Sequence, residues 1–532
     1  MSSTPSAGRT LRVAAGGDLQ GTLDTAVPGD RILLAAGATF AGNFILREKG
    51  GGIAGGWITV QSDGSVPAEN SRVSPSQAAG LAFPKIVSPN ILPAITTNGA
   101  ASRWRFVAVE VTTAAGVATN QGLIALGCAN ACETTLASQP VDIIFDRTYV
   151  HGTTNLDVRR CFGFNGARLA VIESYVSECH SGFDAQAVAG WNGPGPFKIT
   201  NNYLEGAAEN IAFGGGDPVV YGVNLIPSDI EIRGNYISKP MTWKGSPWLV
   251  KNLIEFKIGR RVLIEGNVME NSWPSAQAGF AFVLWSVNQQ ATCAWCVTEH
   301  MTIQNNVIRN VAAGFNLTAT GSNGLAQYYA IPMNHLTIRN NVILGLDNAA
   351  VAGNGRLFQI SDNIPYLTIE HNTGFSPSNS SFIWAGNLPL SNHVVRNNLV
   401  GGGQYQLFSP WGQGQIAWDH AAGVGTTGSV FAGNVVATFT GGTMIPGNYA
   451  TGPFSDLGLV GGTTAPYNVS ASVTDLGFMS WSGFAKKGTD GKDAGADVAA
   501  VAAATGNVTS PGATATANAV ALGRLRIIAG RP

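Results

Sequence analysis

From residue 197 to about residue 400 one short pattern of apolar and polar positions recurs. The successive copies are FKITNNYLEG, IEIRGNYISK, VLIEGNVMEN, MTIQNNVIRN, LTIRNNVILG, LTIEHNTGFS and HVVRNNLVGG. Each reads as an alternating strand, an Asn, and a second short alternating strand. The recurring residues are Asn202, Asn235, Asn267, Asn306, Asn341, Asn372 and Asn398, at gaps of 33, 32, 39, 35, 31 and 26 residues. A weaker copy, AVIESYVSE, puts Ser174 at the same point, 28 residues before Asn202. The period of two excludes helical repeats. A period near 30 residues that contains only short strands predicts a solenoid. Stacked coils lie ~4.8 Å apart, so identical amides at a corner can hydrogen-bond to the coils above and below. Asn also tolerates the left-handed backbone of a sharp corner.

Both ends depart from the repeat. Near the N-terminus, Asp18 is placed to cap a short helix whose Leu19, Leu23 and Ala26 share one face. Pro28-Gly29-Asp30 then turns into the strand Arg31-Ile32-Leu33-Leu34. Residues 1–48 therefore read as an N-terminal cap and first coil, and 49–400 as the repeat body. Residues 401–485 read as irregular terminal coils and 486–532 as an Ala/Gly/Thr-rich segment. Asp490, Asp493 and Asp497 offer three carboxylates to a Ca²⁺ ion, but not at EF-hand spacing. A turn into a short Ala-rich helix is the expectation there, with the last twenty residues as a closing strand. No other cofactor or metal is implied.

Composition narrows the class. Charged residues are 12% of the 532, against roughly 25% in ordinary soluble domains, and Gly reaches 68. Apolar residues at 45% exclude intrinsic disorder. A net charge of −1 without a basic stripe argues against a nucleic-acid partner. The longest apolar run, Ala278 to Val287, is about half of what a membrane helix needs, so no transmembrane segment is expected. The first residues lack the apolar stretch of a signal peptide. The scarcity of Lys and Glu and the six Cys point instead to an exported protein whose signal has been removed, placed outside the cell or on its surface. Six Cys allow fifteen pairings; proximity suggests Cys128–Cys132, Cys161–Cys179 and Cys293–Cys296. Zinc is the rival for the last pair, but no second pair of ligands lies nearby.

The Asn-corner repeat and the capping helix resemble the right-handed single-stranded parallel β-helix of the pectin-lyase-like superfamily, over roughly residues 10 to 400. The resemblance implies an all-β solenoid with three strands per coil. It aligns CFGFNG (161–166), FDAQAV (183–188), NIAFGG (210–215), NLIEFKI (252–258) and FAFVLW (280–285) on one sheet. Alternation then turns Phe162, Phe164, Phe183, Ile211, Phe213, Ile254 and Phe256 inward. Asn165, Asp184, Gln186, Asn210, Ala212, Glu255 and Lys257 face outward.

That outer face gathers polar groups in a chain otherwise poor in charge. Asp184 and Glu255, about two coils apart, match the separation of an inverting glycosidase pair. Lys257 is placed to neutralise a uronate carboxylate or to act as a base. His180, fixed by a bridged Cys179, and Glu209 are further acid–base candidates. Arg160, Asn165, Gln186 and Asn210 are candidate sugar contacts, together with Trp191 and Trp248, two of five Trp between residues 191 and 285. His300, His335 and His393 precede corner Asn residues at similar spacing and read as structural. Superfamily activities include polysaccharide lyases, glycoside hydrolases and non-enzymatic adhesins. The Asn-Thr-Asp, Asp-Asp and Arg-Ile-Lys motifs of polygalacturonases do not occur here, nor do the Trp-Ile-Asp-His and Arg-x-Pro-x-x-Arg signatures of pectate lyases. Two readings follow for a polysaccharide partner: a lyase or hydrolase with its centre on this face, or a non-catalytic β-helix for glycan binding or surface attachment. Oligomeric state is left open.

Overall fold

The strand–Asn–strand repeat winds into a right-handed parallel β-helix. The computed structural model describes residues 8–510 except 129–132, 221–222, 322–324, 326–328, 376–380, 387–389, 402–404, 423–427 and 440. Three long sheets run along the axis, with 14, 14 and 13 strands. One coil shows the order: Phe197–Thr200 lies in the first sheet, Tyr203–Leu204 in the second and Glu209–Phe213 in the third. The next coil repeats it with Ser228–Arg233, Tyr236–Ser238 and Asn252–Phe256. Neighbouring coils pair in parallel and in register, Ile199 on Ile232 and Ile211 on Ile254. Inward side chains therefore stack like on like, as in the Phe213–Phe256 and Phe282–Phe315–Phe358 ring stacks.

The seven predicted corner amides form a continuous buried ladder. From Asn235 on, each Asn Oδ1 accepts from both the backbone N–H and the Nδ2 of the Asn one coil earlier, as Asn267 does from Asn235 at 2.9 and 3.0 Å, whereas Asn202 Oδ1 accepts from the Ser174 N–H. Each Nδ2 also donates to a carbonyl of the first sheet, Asn235 to Ile199 at 2.9 Å. The ladder continues two members past Asn398, to Asn434 and Asn448. The left-handed backbone falls elsewhere than expected. It belongs to the residue before each ladder Asn: Asn201, Gly234, Gly266, Asn305, Asn340, His371 and Asn397 all have φ between 51° and 64°. This explains the recurring Asn-Asn and Gly-Asn dipeptides, since both residue types tolerate that region.

The helix Leu19–Thr25 closes the N-terminal end, with Asp18 accepting from the Gly21 N–H and Leu19, Leu23 and Ala26 buried on the first coils. At the other end the chain folds back along the outside. Residues 454–508 lay Leu457, Leu459, Val473, Leu476 and Val501 over Val268, Val307, Leu399 and Val435 of the second sheet. The strap ends near Arg72, whose guanidinium donates to the Val508 carbonyl at 2.6 Å. Within the strap Asp497 caps the helix Val498–Thr505, Asp490 meets His371 and Asp493 accepts from the Lys486 N–H. The three carboxylates raised for Ca²⁺ thus have separate local partners, and no group of three or more acidic, His or Cys side chains suited to a metal occurs among the described residues.

Cys161–Cys179 and Cys293–Cys296 are disulfides, so the latter pair is not half of a zinc site. Cys132, and with it the proposed Cys128 pairing, lies outside the described residues, as does the closing strand expected at the C-terminus. His300 and His335 stack at 4.5 Å, and His335 stacks on Tyr366. His393 differs, being buried and accepting from the Ile364 N–H. No helix in the described residues is long and apolar enough to cross a membrane.

Candidate functional site

The outer face of the third sheet is set by where strand alternation holds and where it breaks. Register puts Ala125, Gly163, Ala189, Ala212, Glu255, Val283 and Asn316 in one column along the axis. Its small members form a floor, and Glu255 closes it at one end. A second column runs Arg160, Gln186, Glu209, Asn252. Between the columns two consecutive residues of each coil turn inward: Cys161 and Phe162, Ala187 and Val188, Leu253 and Ile254. The coil bends there, and both flanks of a bend face the axis.

This break corrects two orientations. Asn210, expected outside, is fully buried, and its Nδ2 donates to the Leu204 and Ser238 carbonyls. Its neighbour Glu209 takes the outward place. Phe183, expected in the core, is 68% exposed, with the Arg159 guanidinium 5.9 Å from its ring.

Seven of the candidates line a single pocket: Arg160, Asp184, Gln186, Trp191, Glu209, Glu255 and Lys257. Arg160 Nε donates to Gln186 Oε1 at 3.1 Å, and Gln186 Nε2 donates to Glu209 Oε2 at 2.7 Å. The Arg160 guanidinium also lies 5.3 Å from the Trp191 ring. Lys257 Nζ stands 3.7 Å from Glu255 Oε1. Its close approach requires Gly214, where a Cβ would come within 2.5 Å of the Lys257 Cβ and φ is +112°.

Four candidates lie elsewhere. His180 is 0% exposed, stacked 4.0 Å from Trp248, edge-on to Trp243 and bonded to Glu178, so it does not line the pocket. Trp248 is thereby occupied as its packing partner. Asn165 is buried and accepts from the backbone N–H groups of Trp191 and Asn192, holding that loop rather than facing solvent. Asn210 is the fourth, on the inner side of the coil.

Two groups were missed as site residues. Lys251, just before its strand, bridges Asp184 at 2.5 Å and Glu209 at 3.3 Å. Trp285, noted only among the aromatics, donates from Nε1 to Glu255 Oε1 at 3.2 Å, and Lys257 lies over its ring. A lysine aligned in register just before an outward column is the signal that would have found Lys251.

The electrostatics separate these groups. Glu255 is only 3% exposed. Burial first, then the charge of Glu209 and a hydrogen bond with it, push the Glu255 carboxyl up to about 8 against the pull of Lys257 and Lys251. Burial opposes the Lys251 ammonium, but Glu209 and Asp184 outweigh it and raise its pKa. Arg160 is lowered, chiefly by burial and then by Arg159. Behind the wall, fully buried Lys239 donates to the carbonyls of Gly206, Ala207 and Ala208 and to Asn210 Oδ1, clamping the bend that presents Glu209. The arrangement offers a buried carboxyl whose protonated form burial favours, an exposed acidic side chain paired with a lysine, and cations beside a floor of small residues.

Three solved structures similar to this chain are β-helical proteins. The PL6 family alginate lyase AlyGC is 12% identical at a TM-score of 0.40, over 83% of this chain and 53% of that one. A mannuronic acid specific polysaccharide family 6 lyase from human gut microbiota is 11% identical at 0.44, over 84% and 91%. A tailspike protein of E. coli bacteriophage HK620 is 13% identical at 0.44, over 82% and 65%. The chain thus spans about half the length of the first and under two thirds of the tailspike, and the likeness is one of fold. No family model and no curated protein sequence matches the chain.

Proposed function

We propose that this protein acts outside the cell on an acidic polysaccharide and hydrolyses its glycosidic bonds in the third-sheet pocket. The observation that carries this reading is the placement of the buried Glu255 carboxyl, whose pKa burial pushes up to about 8, beside Glu209 in the pocket that Asp184 also lines. A glycosidase needs one carboxyl that keeps its proton and a second that does not. Glu255 is the acid that protonates the leaving oxygen. Glu209 touches it too closely to stand on the far side of a sugar ring. Asp184, joined to Glu209 through Lys251, is assigned to the attacking water of an inverting enzyme. Asp184, with the Lys251 Nζ at 2.5 Å, is the base for that water. Arg160, with no carboxylate ion pair among the described residues, is available to a uronate carboxylate. Trp191 supplies an apolar wall beside it.

A lyase would instead need a base free to take the proton next to the uronate. Lys251 is biased the other way, and His180 is packed off the pocket. The two disulfides support work in an oxidising compartment. Incubation with a panel of acidic and neutral polysaccharides tests the reading, with reducing ends and the ultraviolet absorbance of unsaturated uronates followed together. New reducing ends without added absorbance are expected. Rising absorbance would make the enzyme a lyase, and binding without products would make the chain a non-catalytic glycan binder.

A further inference from the structure

The column that carries Glu255 continues along the same face. Beyond Val283 it passes through Asn316, Gln359 and Trp384, each paired in register with the one before. At ~4.8 Å per coil, Gln359 stands three coils and roughly 14 Å from Glu255, and Trp384 one coil further. Here the contacts of the pocket recur. Arg356 Nη1 donates to Gln359 Oε1, and Gln359 Nε2 donates to Asn316 Oδ1 at 3.3 Å. The Arg356 guanidinium lies 4.5 Å from the Trp384 ring. The order of contacts is that of Arg160, Gln186 and Glu209 beside Trp191, but it runs toward the preceding coil, and the amide of Asn316 accepts where the pocket has the Glu209 carboxylate.

The difference is chemical. Arg356 makes no ion pair with a carboxylate among the described residues, and burial alone acts on it, lowering its pKa. Arg356, Gln359, Asn316 and Trp384 are each partly exposed. A guanidinium stacked on an indole keeps its outer N–H groups for a carboxylate, and the free part of the ring offers an apolar surface to a sugar. The set has the cation and the aromatic of the pocket but none of its three carboxyls, so it can hold an acidic sugar without cleaving it.

We infer that Arg356, Gln359 and Trp384 form a second, non-catalytic subsite that grips a uronate of the same acidic polysaccharide strand, which runs along the third sheet from the pocket toward the C-terminal coils. The substrate class rests on the proposed function; the grip does not require that the pocket be catalytic.

The experiment measures retention in native gels containing polygalacturonate or alginate, with dextran as the neutral control. It is run in the Glu255→Gln background so that cleavage plays no part. Trp384→Ala and Arg356→Gln are each expected to raise the apparent Kd for at least one acidic polymer roughly tenfold, the effect of losing one good contact. Migration in dextran should stay the same. Should Trp384→Ala lose its melting transition, Trp384→Leu together with Arg356→Gln decides the matter. Unchanged retention in folded variants overturns the subsite, as does a parent protein retained by neither acidic polymer, or equally by dextran. Retention that falls as expected, in a protein whose wild type yields no products, upholds the subsite and removes the hydrolase reading.

Discussion

The Asn ladder and the third-sheet pocket are built on the same coils and obey opposite rules. From Asn235 to Asn434 every rung of the ladder carries the same neutral amide, fully buried, with its Oδ1 and one Nδ2 proton met by identical neighbours one coil away. In the pocket successive rungs carry Arg160, Gln186 and Glu209, and the next column goes from Ala212 to Glu255. Translation satisfies a neutral amide because donor and acceptor sit on one side chain. It cannot satisfy a stack of like charges, so charged rungs must alternate in kind and draw in partners from loops, as Lys251 does. Where the repeat is kept it supplies stability, and where it is broken it supplies groups with separated protonation.

The largest test of that contrast is catalytic. Glu255→Gln and Asp184→Asn should each lower turnover by at least ~10²-fold, the usual scale for losing a general acid or base. Neither should lower the melting temperature appreciably. Full activity of both variants on a substrate that the wild type cleaves would move the chemistry out of this pocket.

Next in size is the bridge that pins the bend beneath the pocket. Cys161 and Cys179 are 18 residues apart, and opening a loop of that length costs about 3 kcal/mol. The double variant Cys161→Ala/Cys179→Ala should show this loss in denaturant unfolding, and thiol titration of the unfolded, unreduced protein should find neither sulfur free. An unaltered midpoint would mean that packing alone holds the bend.

A single rung of the ladder should matter slightly less. Asn306→Ala leaves buried donors and acceptors on both neighbouring coils unmet and should cost roughly 1–3 kcal/mol. Asn341→Ala should do the same. If both variants melt with the wild type, the stacked amides contribute nothing net.

A last test lies in the pH dependence of stability. The folded-state pKa of Glu255 is raised, so between the ordinary carboxylate range and about 8 the native protein binds a proton that the unfolded chain does not. Stability then falls as pH rises through that window. Glu205 and Glu173, pushed up to about 7 chiefly by burial, add slopes of the same sign. The Glu255→Gln variant should therefore lose less stability than wild type between pH 5 and about 8, as read from urea midpoints. Parallel curves would show that Glu255 titrates normally.

The sequence by itself determined the coil. Alternation with a period of two, an Asn at each corner and a spacing near 30 residues are local and repeated, so each copy reinforces the assignment of the next. The cap was legible for the same reason, since Asp18, Leu19 and Leu23 are close in the chain. Much of the pocket was legible too, because register stacks Gln186 on Glu209 and Ala212 on Glu255. Tertiary structure alone decided the rest. A bend that turns two successive residues inward buried Asn210 and freed Glu209, and strict alternation contains no such break. Lys251 met Asp184 and Glu209 only because a loop of irregular length delivers it there. His180 was lost to the pocket because Trp243 and Trp248, more than sixty residues downstream, offered it a better place to pack. Periodicity fixes which strand a residue joins; the loops and bends between strands fix which side chains meet, and those lengths follow no repeat.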